Sequence, residues 1–399
     1  MTQSGFERSS VGSPVMKLGT SNRLAMLRFP AILGVLFIHS ATTTMHTAEG
    51  TLGATHSAPL VDAVKYFISK EVAAPAVPIL FLMSGYLFFE GFRPSWSAYG
   101  KKLRRRVDTL LIPFLFWNGA TLLLYLVGEN LPATRNYFLG NPQWPQIANF
   151  QWTDYLRAFG IGGIYPIAYQ FWYVRDLMAM VLLVPFFSAI LTGRAALPFL
   201  ALTFAMWVGN FTPTAWPTAG VVFFFLLGGY LSSAKIDICA LDPPGKWIVL
   251  LGFLPLAAFD LALRGSAEHD LVHKALILIG IANVWWLTGI AQRHAGMESW
   301  LIRQGSASFF VFSAHEPLLM ICRRLSLKVL ARHSDSAALL FFVLMPVLIA
   351  GLLVMVYRGL GRLAPGFLAV ITGGRESFRP GGGEALSKAT AGAVGSAGK

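Results

Sequence analysis

Apolar residues along this chain gather into long blocks separated by short polar or broken stretches. About ten blocks are long enough, or nearly so, to cross a hydrocarbon core of ~30 Å as helices. They cover approximately residues 24–45, 72–90, 107–128, 170–191, 195–209, 219–233, 247–264, 273–291, 305–322 and 338–357. The pattern predicts an all-α, polytopic membrane protein with about ten transmembrane helices in a domain spanning 21–360. The fifth and sixth blocks are short, and Pro213 and Pro217 between them predict a turn, because proline breaks a helix. Residues 1–20 are polar and rich in Ser and Gly, and read as a disordered cytoplasmic tail. They lack the features of a signal peptide. Residues 361–399, Gly/Ala/Ser-rich from 373 onward, are expected to be a mostly disordered cytoplasmic tail. No internal repeat is visible, which weighs against a transporter, since many transporters carry one.

Composition agrees with this pattern. Only 13% of residues are charged and 55% are hydrophobic. An average soluble protein carries roughly 25% charged residues, so too few are present to cover a soluble surface. The net charge of +13 would suggest nucleic acid in a soluble chain. Without a nucleic-acid-binding motif, it reads instead as basic loops that orient helices and face anionic lipid. Ten spans put both termini on one side. Placing the tails and the Lys101, Lys102, Arg104, Arg105, Arg106 connection in the cytoplasm puts about two-thirds of the Lys and Arg inside, as positive-inside orientation requires. One connection opposes it: Arg323, Arg324, Lys328 and Arg332 fall on the outer side. They form a local exception, an interfacial basic helix, or a patch for an anionic substrate. The two cysteines, Cys239 and Cys322, fall near opposite faces and read as free thiols. The outer connection 129–169 carries Trp144, Trp152, Tyr155, Tyr165 and Tyr169. These are interfacial anchors, or part of a lid over a substrate mouth.

An ionisable group at the centre of a membrane helix costs about 2.5–3.5 kcal/mol on insertion scales, so such groups are functional candidates by default. In the first span Arg28 and His39 are 11 residues apart. On a helix that is three turns plus about 20°, so both face one way, about 16.5 Å apart along the axis. Either alone could be structural, with Arg28 snorkelling and His39 bonded within the bundle. Together they suit an acyl-CoA, whose phosphates match a guanidinium and whose thioester needs a proton-transfer group such as imidazole. Ser84-Gly85-Tyr86 in the second span supplies small polar positions, or a close helix contact. Trp172, Arg175 and Asp176 open the fourth span with an ion pair that could equally be structural. His315 and Glu316 precede Pro317 in the ninth, and an intramembrane His-Glu is hard to explain by packing.

In order and spacing these segments resemble the acyltransferase-3 family, integral-membrane acyltransferases that modify surface glycans and related acceptors. The resemblance rests on Arg28-x10-His39, Phe81-x-x-Ser84-Gly85-Tyr86, Trp172-Tyr173-Val174-Arg175-Asp176-Leu177 and His315-x-Pro317, and spans roughly 20–360. It implies that Arg28 helps hold the CoA donor, that Ser84 and Gly85 line its tunnel, that His39 is the essential residue at the reaction centre, and that Arg175 and Asp176 form the polar site at the mouth of the fourth helix. Tyr86, Trp172, His315 and Glu316 are further candidates.

The expected reaction is transfer of an acyl group, acetyl foremost and succinyl as the alternative, from cytosolic acyl-CoA to a glycan or lipid-linked glycan at the bacterial inner membrane. His39 would act as base, or carry the acyl group itself. No metal is expected, since His39 and His315 lack zinc-ligand spacing. The competing readings are a glycan or lipid flippase, and a structural or sensory membrane protein.

Overall fold

The computed structural model describes residues 18–374 except for 42–43, 48–49, 54–58, 93–94, 140–142, 163–164, 213–215, 243–245 and 330–334. Ten helical segments account for the apolar blocks. They are α1 (Leu18–Ser40), α2 (Pro59–Phe89), α3 (Trp96–Asn130), α4 (Trp172–Leu191), α5 (Ala196–Val208), α6 (Ala219–Ser233), α7 (Lys246–Ala262), α8 (His269–Gln292), α9 (Ala295–Val329) and α10 (Asp335–Leu363). Among the described residues seven are long and apolar enough to cross a membrane, and α5, α6 and part of α7 are shorter apolar helices. The protein is an all-α polytopic membrane protein, as its hydrophobic blocks predict.

The boundaries differ from those predicted in instructive ways. The first block was expected to run to 45, but α1 stops at Ser40, and a two-stranded antiparallel ribbon (Thr44–Thr47 with Gly50–Gly53) follows. α2 and α3 begin well before their apolar stretches. In each, a polar amphipathic half passes through a π-helical stretch, Phe67–Val72 or Val107–Leu111, into the apolar half. The basic run Lys101–Arg106 is therefore helical. Its start is capped by Ser95, whose hydroxyl accepts from the Ala98 amide at 3.2 Å. α9 runs unbroken through Pro317 and past Arg323. The folded part also extends beyond residue 360. α10 continues to Leu363, and a helix α11 (Pro365–Thr372) buries Leu368 and Ile371, its Ile371 carbonyl accepting from Trp117 Nε1 at 3.0 Å. The expected tails at 1–17 and 375–399 lie outside the described residues.

Small residues set the closest helix approaches, as is usual where no hydrophobic drive separates helix from lipid. α2 crosses α6 at Gly85, Gly228 and Gly229. A Cβ on Gly85 would lie 1.9 Å from the Phe225 carbonyl oxygen, and one on Gly228 equally close to that of Leu82. α1 packs along α9, where a Cβ on Gly305 would fall 2.7 Å from the Ala25 carbonyl oxygen.

The ends of the bundle are tied differently. Where α1 begins, the buried Arg23 forks onto Asp242 at 2.5 and 3.1 Å, donates to Gln292 at 3.0 Å and stacks over Trp285. Asn22 donates to Glu298 at 2.9 Å. These partners come from the α6–α7 connection, the end of α8 and the start of α9. Where α1 finishes, it meets residues from the α3–α4 connection and from the far half of α9. The helices therefore alternate in direction, with α1 and α9 parallel.

Candidate active site

His39 lies in the last turn of α1, half-buried. Its ring stacks on that of His315 from α9, centroids 5.4 Å apart and planes 26° from parallel. Tyr169 meets it edge-on, with the phenol oxygen 3.0 Å from Nδ1. The same hydroxyl makes a short hydrogen bond to Glu316 Oε1. Arg323 closes the cluster. Its guanidinium donates to both Glu316 oxygens at 3.3 and 3.1 Å and to the His39 backbone carbonyl at 2.7 Å.

Each partner is held by its own element. Tyr169 stands in a single 3₁₀ turn, Tyr169–Phe171, at the entrance to α4. Buried Asn118 of α3 accepts from the Ala168 amide at 3.2 Å, and buried Gln170 donates to the Ser313 carbonyl at 3.2 Å, so the turn is pinned on both sides. His315 and Glu316 are adjacent on α9, and Arg323 follows Glu316 by seven residues, two helical turns, on the same face.

This bonding fixes the proton positions. Glu316, ion-paired with Arg323, is an acceptor, so the one hydroxyl proton of Tyr169 points to it. The phenol oxygen must then accept from Nδ1–H of His39. Nε2 of His39 is left with its lone pair and no hydrogen-bond partner among the described residues. His315 follows the same logic: Nδ1–H donates to the Phe312 carbonyl at 2.6 Å, and its buried Nε2 has no partner. Two stacked imidazoles, each with an Nε2 lone pair not engaged by the described residues, thus meet at the end of α1. A group of this kind can accept a proton from a hydroxyl, and the carboxylate behind it can stabilise the imidazolium formed.

The other candidate residues occupy several places. Arg28 is exposed on the flank of α1 beside Gly305 of α9, with no ion-pair partner among the described residues. Arg28 and His39 thus both face α9, as their spacing predicts. Ser84 donates to the Leu80 carbonyl at 2.7 Å and shares a 3.0 Å hydrogen bond with Tyr173 of α4. Gly85 is at the α2–α6 crossing, so packing alone accounts for its lack of a side chain. Tyr86 is buried on another face among Leu24, Leu27 and Ile238. Trp172 leans on Phe81. Arg175 and Asp176 are buried together, Nε and Nη2 bonding one carboxylate oxygen at 2.9 and 2.8 Å, with the guanidinium over the Trp216 ring. Cys239 and Cys322 are free.

The family model for acyltransferase-3, described as an acyltransferase domain, matches residues 22–357. The chain belongs to the acyltransferase-3 family. This membrane acyltransferase is also similar to the succinoglycan biosynthesis protein ExoH of Rhizobium meliloti (strain 1021), with 28% identity over 370 residues, covering 90% of this chain and 94% of the relative. No solved structure matches.

Two members of the His39 cluster have no place at the reaction centre in the sequence reading. Tyr169 is one of several aromatics in a long connection, and nothing in its local sequence distinguishes it from Trp152 or Tyr165, which are exposed. Arg323 is grouped there with the outer basic residues. Its side chain turns instead into the site. The two-turn spacing from Glu316 is a signal that could have found it. Arg332 lies outside the described residues.

Proposed function

We propose that this acyltransferase moves an acyl group, acetyl in the first instance, from cytosolic acyl-CoA to a hydroxyl of an extracytoplasmic or lipid-linked exopolysaccharide. The enzyme sits in the bacterial inner membrane with both termini cytoplasmic. The observation that carries this reading is the chain Arg323–Glu316–Tyr169–His39, which ends in an unengaged Nε2. The exopolysaccharide acceptor is suggested by the relative, whose name places it in succinoglycan biosynthesis.

In the proposed reaction the acceptor hydroxyl gives its proton to Nε2 of His39 as its oxygen bonds to the thioester carbonyl carbon. The imidazolium is stabilised through Tyr169 by Glu316. Collapse of the tetrahedral intermediate breaks the C–S bond, and the CoA sulfur leaves with the proton from His39. Arg28, without an ion-pair partner among the described residues and on the same α9-facing side of α1, takes the donor phosphates, with the pantetheine arm running along the α1–α9 seam towards His39. Arg175 and Asp176 shape the acceptor mouth at the start of α4.

The test is the ester-linked acyl content of surface glycans, measured by mass spectrometry in a deletion strain complemented with the wild type or with His39→Ala. One acyl mass restored by the wild type alone supports the reading and identifies both acyl group and acceptor. Unchanged esters with an altered amount of surface glycan would favour a flippase instead.

A further inference from the structure

A second polar cluster lies where α2, α7 and α8 meet. Asp260 projects from the end of α7 and is fully buried. His269 and His273, four residues apart on the first turns of α8, face it together. Nδ1 of His273 is 3.2 Å from Oδ2 of Asp260, and Nε2 of His269 is 3.6 Å from Oδ1. One ligand atom from each of the three residues lies within 4.8 Å of the others. The Tyr66 hydroxyl from α2 is 2.9 Å from Oδ2 and 2.7 Å from Nε2 of His269.

The carboxylates here lack what a buried charge needs. Oδ1 of Asp260 has no hydrogen-bond partner among the described residues, and neither oxygen of Glu71 has one. Glu71 is fully buried in the π-helical stretch of α2 and within electrostatic reach of Asp260. Leaving even one buried charged acceptor unsatisfied costs several kcal/mol. The nearby guanidinium, Arg264, lies over the Tyr66 ring and bonds elsewhere, to Asp62.

We propose that Asp260, His269 and His273 bind one divalent transition-metal ion, zinc by the ligand set, which clamps α7 to α8 beside the π-helical stretch of α2. Two imidazoles and a carboxylate are a zinc-type donor set, and magnesium or calcium would want oxygens alone. Tetrahedral ligands on bonds of about 2.0 Å stand about 3.3 Å apart. The 3.6 Å between His269 Nε2 and Asp260 Oδ1 needs little adjustment, and His273 Nδ1 stands 3.2 Å from the other oxygen of the same carboxylate. In the bound form Nε2, Nδ1 and Oδ1 turn their lone pairs to the ion. The Tyr66 hydroxyl donates to Oδ2, the outer support such ligands usually have. The clamp borders the active-site helix, because Phe67–Val72 packs against α1 as well as α7 and α8. It involves neither His39 nor His315, and it departs from the sequence-based expectation of no metal, which rested on the spacing of those two histidines alone.

The experiment uses tag-free, full-length protein in detergent or nanodiscs. Elemental analysis should find about one zinc per chain, and the His269→Ala/His273→Ala variant should hold less than a tenth of that. Stripping with a chelator should lower the melting temperature, and added Zn²⁺ should restore it. Should the double variant not fold, stripped wild type titrated with Co²⁺ should develop visible d–d absorption saturating at one equivalent. Wild type with no stoichiometric metal, no melting shift on Zn²⁺ and no cobalt spectrum overturns the proposal, as does a folded double variant that keeps its zinc.

Discussion

Two intramembrane ion pairs in this acyltransferase illustrate different uses of buried charge. Arg175 and Asp176 are neighbours on α4, bonded to each other across one carboxylate oxygen. Arg323 and Glu316 form a pair from one helix too, but theirs reaches outward. Arg323 also holds the His39 carbonyl, and Glu316 holds the Tyr169 hydroxyl, which in turn orients His39. The first pair closes on itself across that oxygen, with the Arg175 guanidinium also lying over the Trp216 ring. The second directs its charge through two side chains onto a ring nitrogen that is left open. A buried charge becomes chemically useful when its hydrogen bonds end on a reactive atom rather than on its own partner.

The largest effect should come from removing that atom. His39→Ala is expected to lower transfer by about 10²- to 10⁴-fold, the usual worth of a general base, with normal membrane levels, read from glycan ester content and immunoblot. Normal transfer by a well-expressed variant would remove His39 from the mechanism. Tyr169→Phe keeps the ring but cuts the chain, and turnover should fall about 10- to 100-fold, less than the ~10²- to 10⁴-fold that the proton-transfer group itself contributes. A comparable loss in Glu316→Gln would tie both residues to one relay, whereas wild-type turnover in Tyr169→Phe would break it.

Donor binding should respond less. Arg28→Ala is expected to raise the apparent KM for acyl-CoA about 10-fold, about the worth of one charge-assisted hydrogen bond, at near-constant kcat. Unchanged KM would move the phosphates elsewhere. Arg175→Lys, which keeps the charge but loses the planar fork, should change acceptor KM by a few-fold and kcat hardly at all. A kcat loss matching that of Tyr169→Phe would erase the contrast between the two pairs. Gly85→Ala separates packing from a tunnel role. Its Cβ would meet backbone at 1.9 Å, so the expectation is a loss of folded protein by the 1–3 kcal/mol or so that overpacking costs. Normal melting with weaker acyl-CoA binding would instead support the tunnel.

The candidates that the sequence reading singled out differ in how far local sequence could place them. Arg28 and His39 share a helix face because eleven residues is close to three whole turns. His315 and Glu316 stand out because an ionisable group within an apolar block is costly. Gly85 shows the limit: a small residue in a membrane helix fits a tunnel wall and a helix crossing equally well until Phe225 is placed against it. The Asp260, His269 and His273 group is similar, since four-residue histidine spacing is visible but Asp260 joins it only through packing of α7 on α8.

The amino-acid sequence by itself determined the class of protein, the ten helical segments and the two ends of the α1 seam. Hydrophobic length and helical period are local properties, readable one segment at a time. Only the tertiary structure decided that Tyr169, rather than another loop aromatic, reaches His39, that Arg323 turns inward, and that α9 runs parallel to α1. Those choices depend on which helices become neighbours. They are settled by glycine contacts such as Gly305 on Ala25 and by buried hydrogen bonds such as those of Asn118 Oδ1 and Gln170 Nε2, whose partners lie 50 and 143 residues away in the chain.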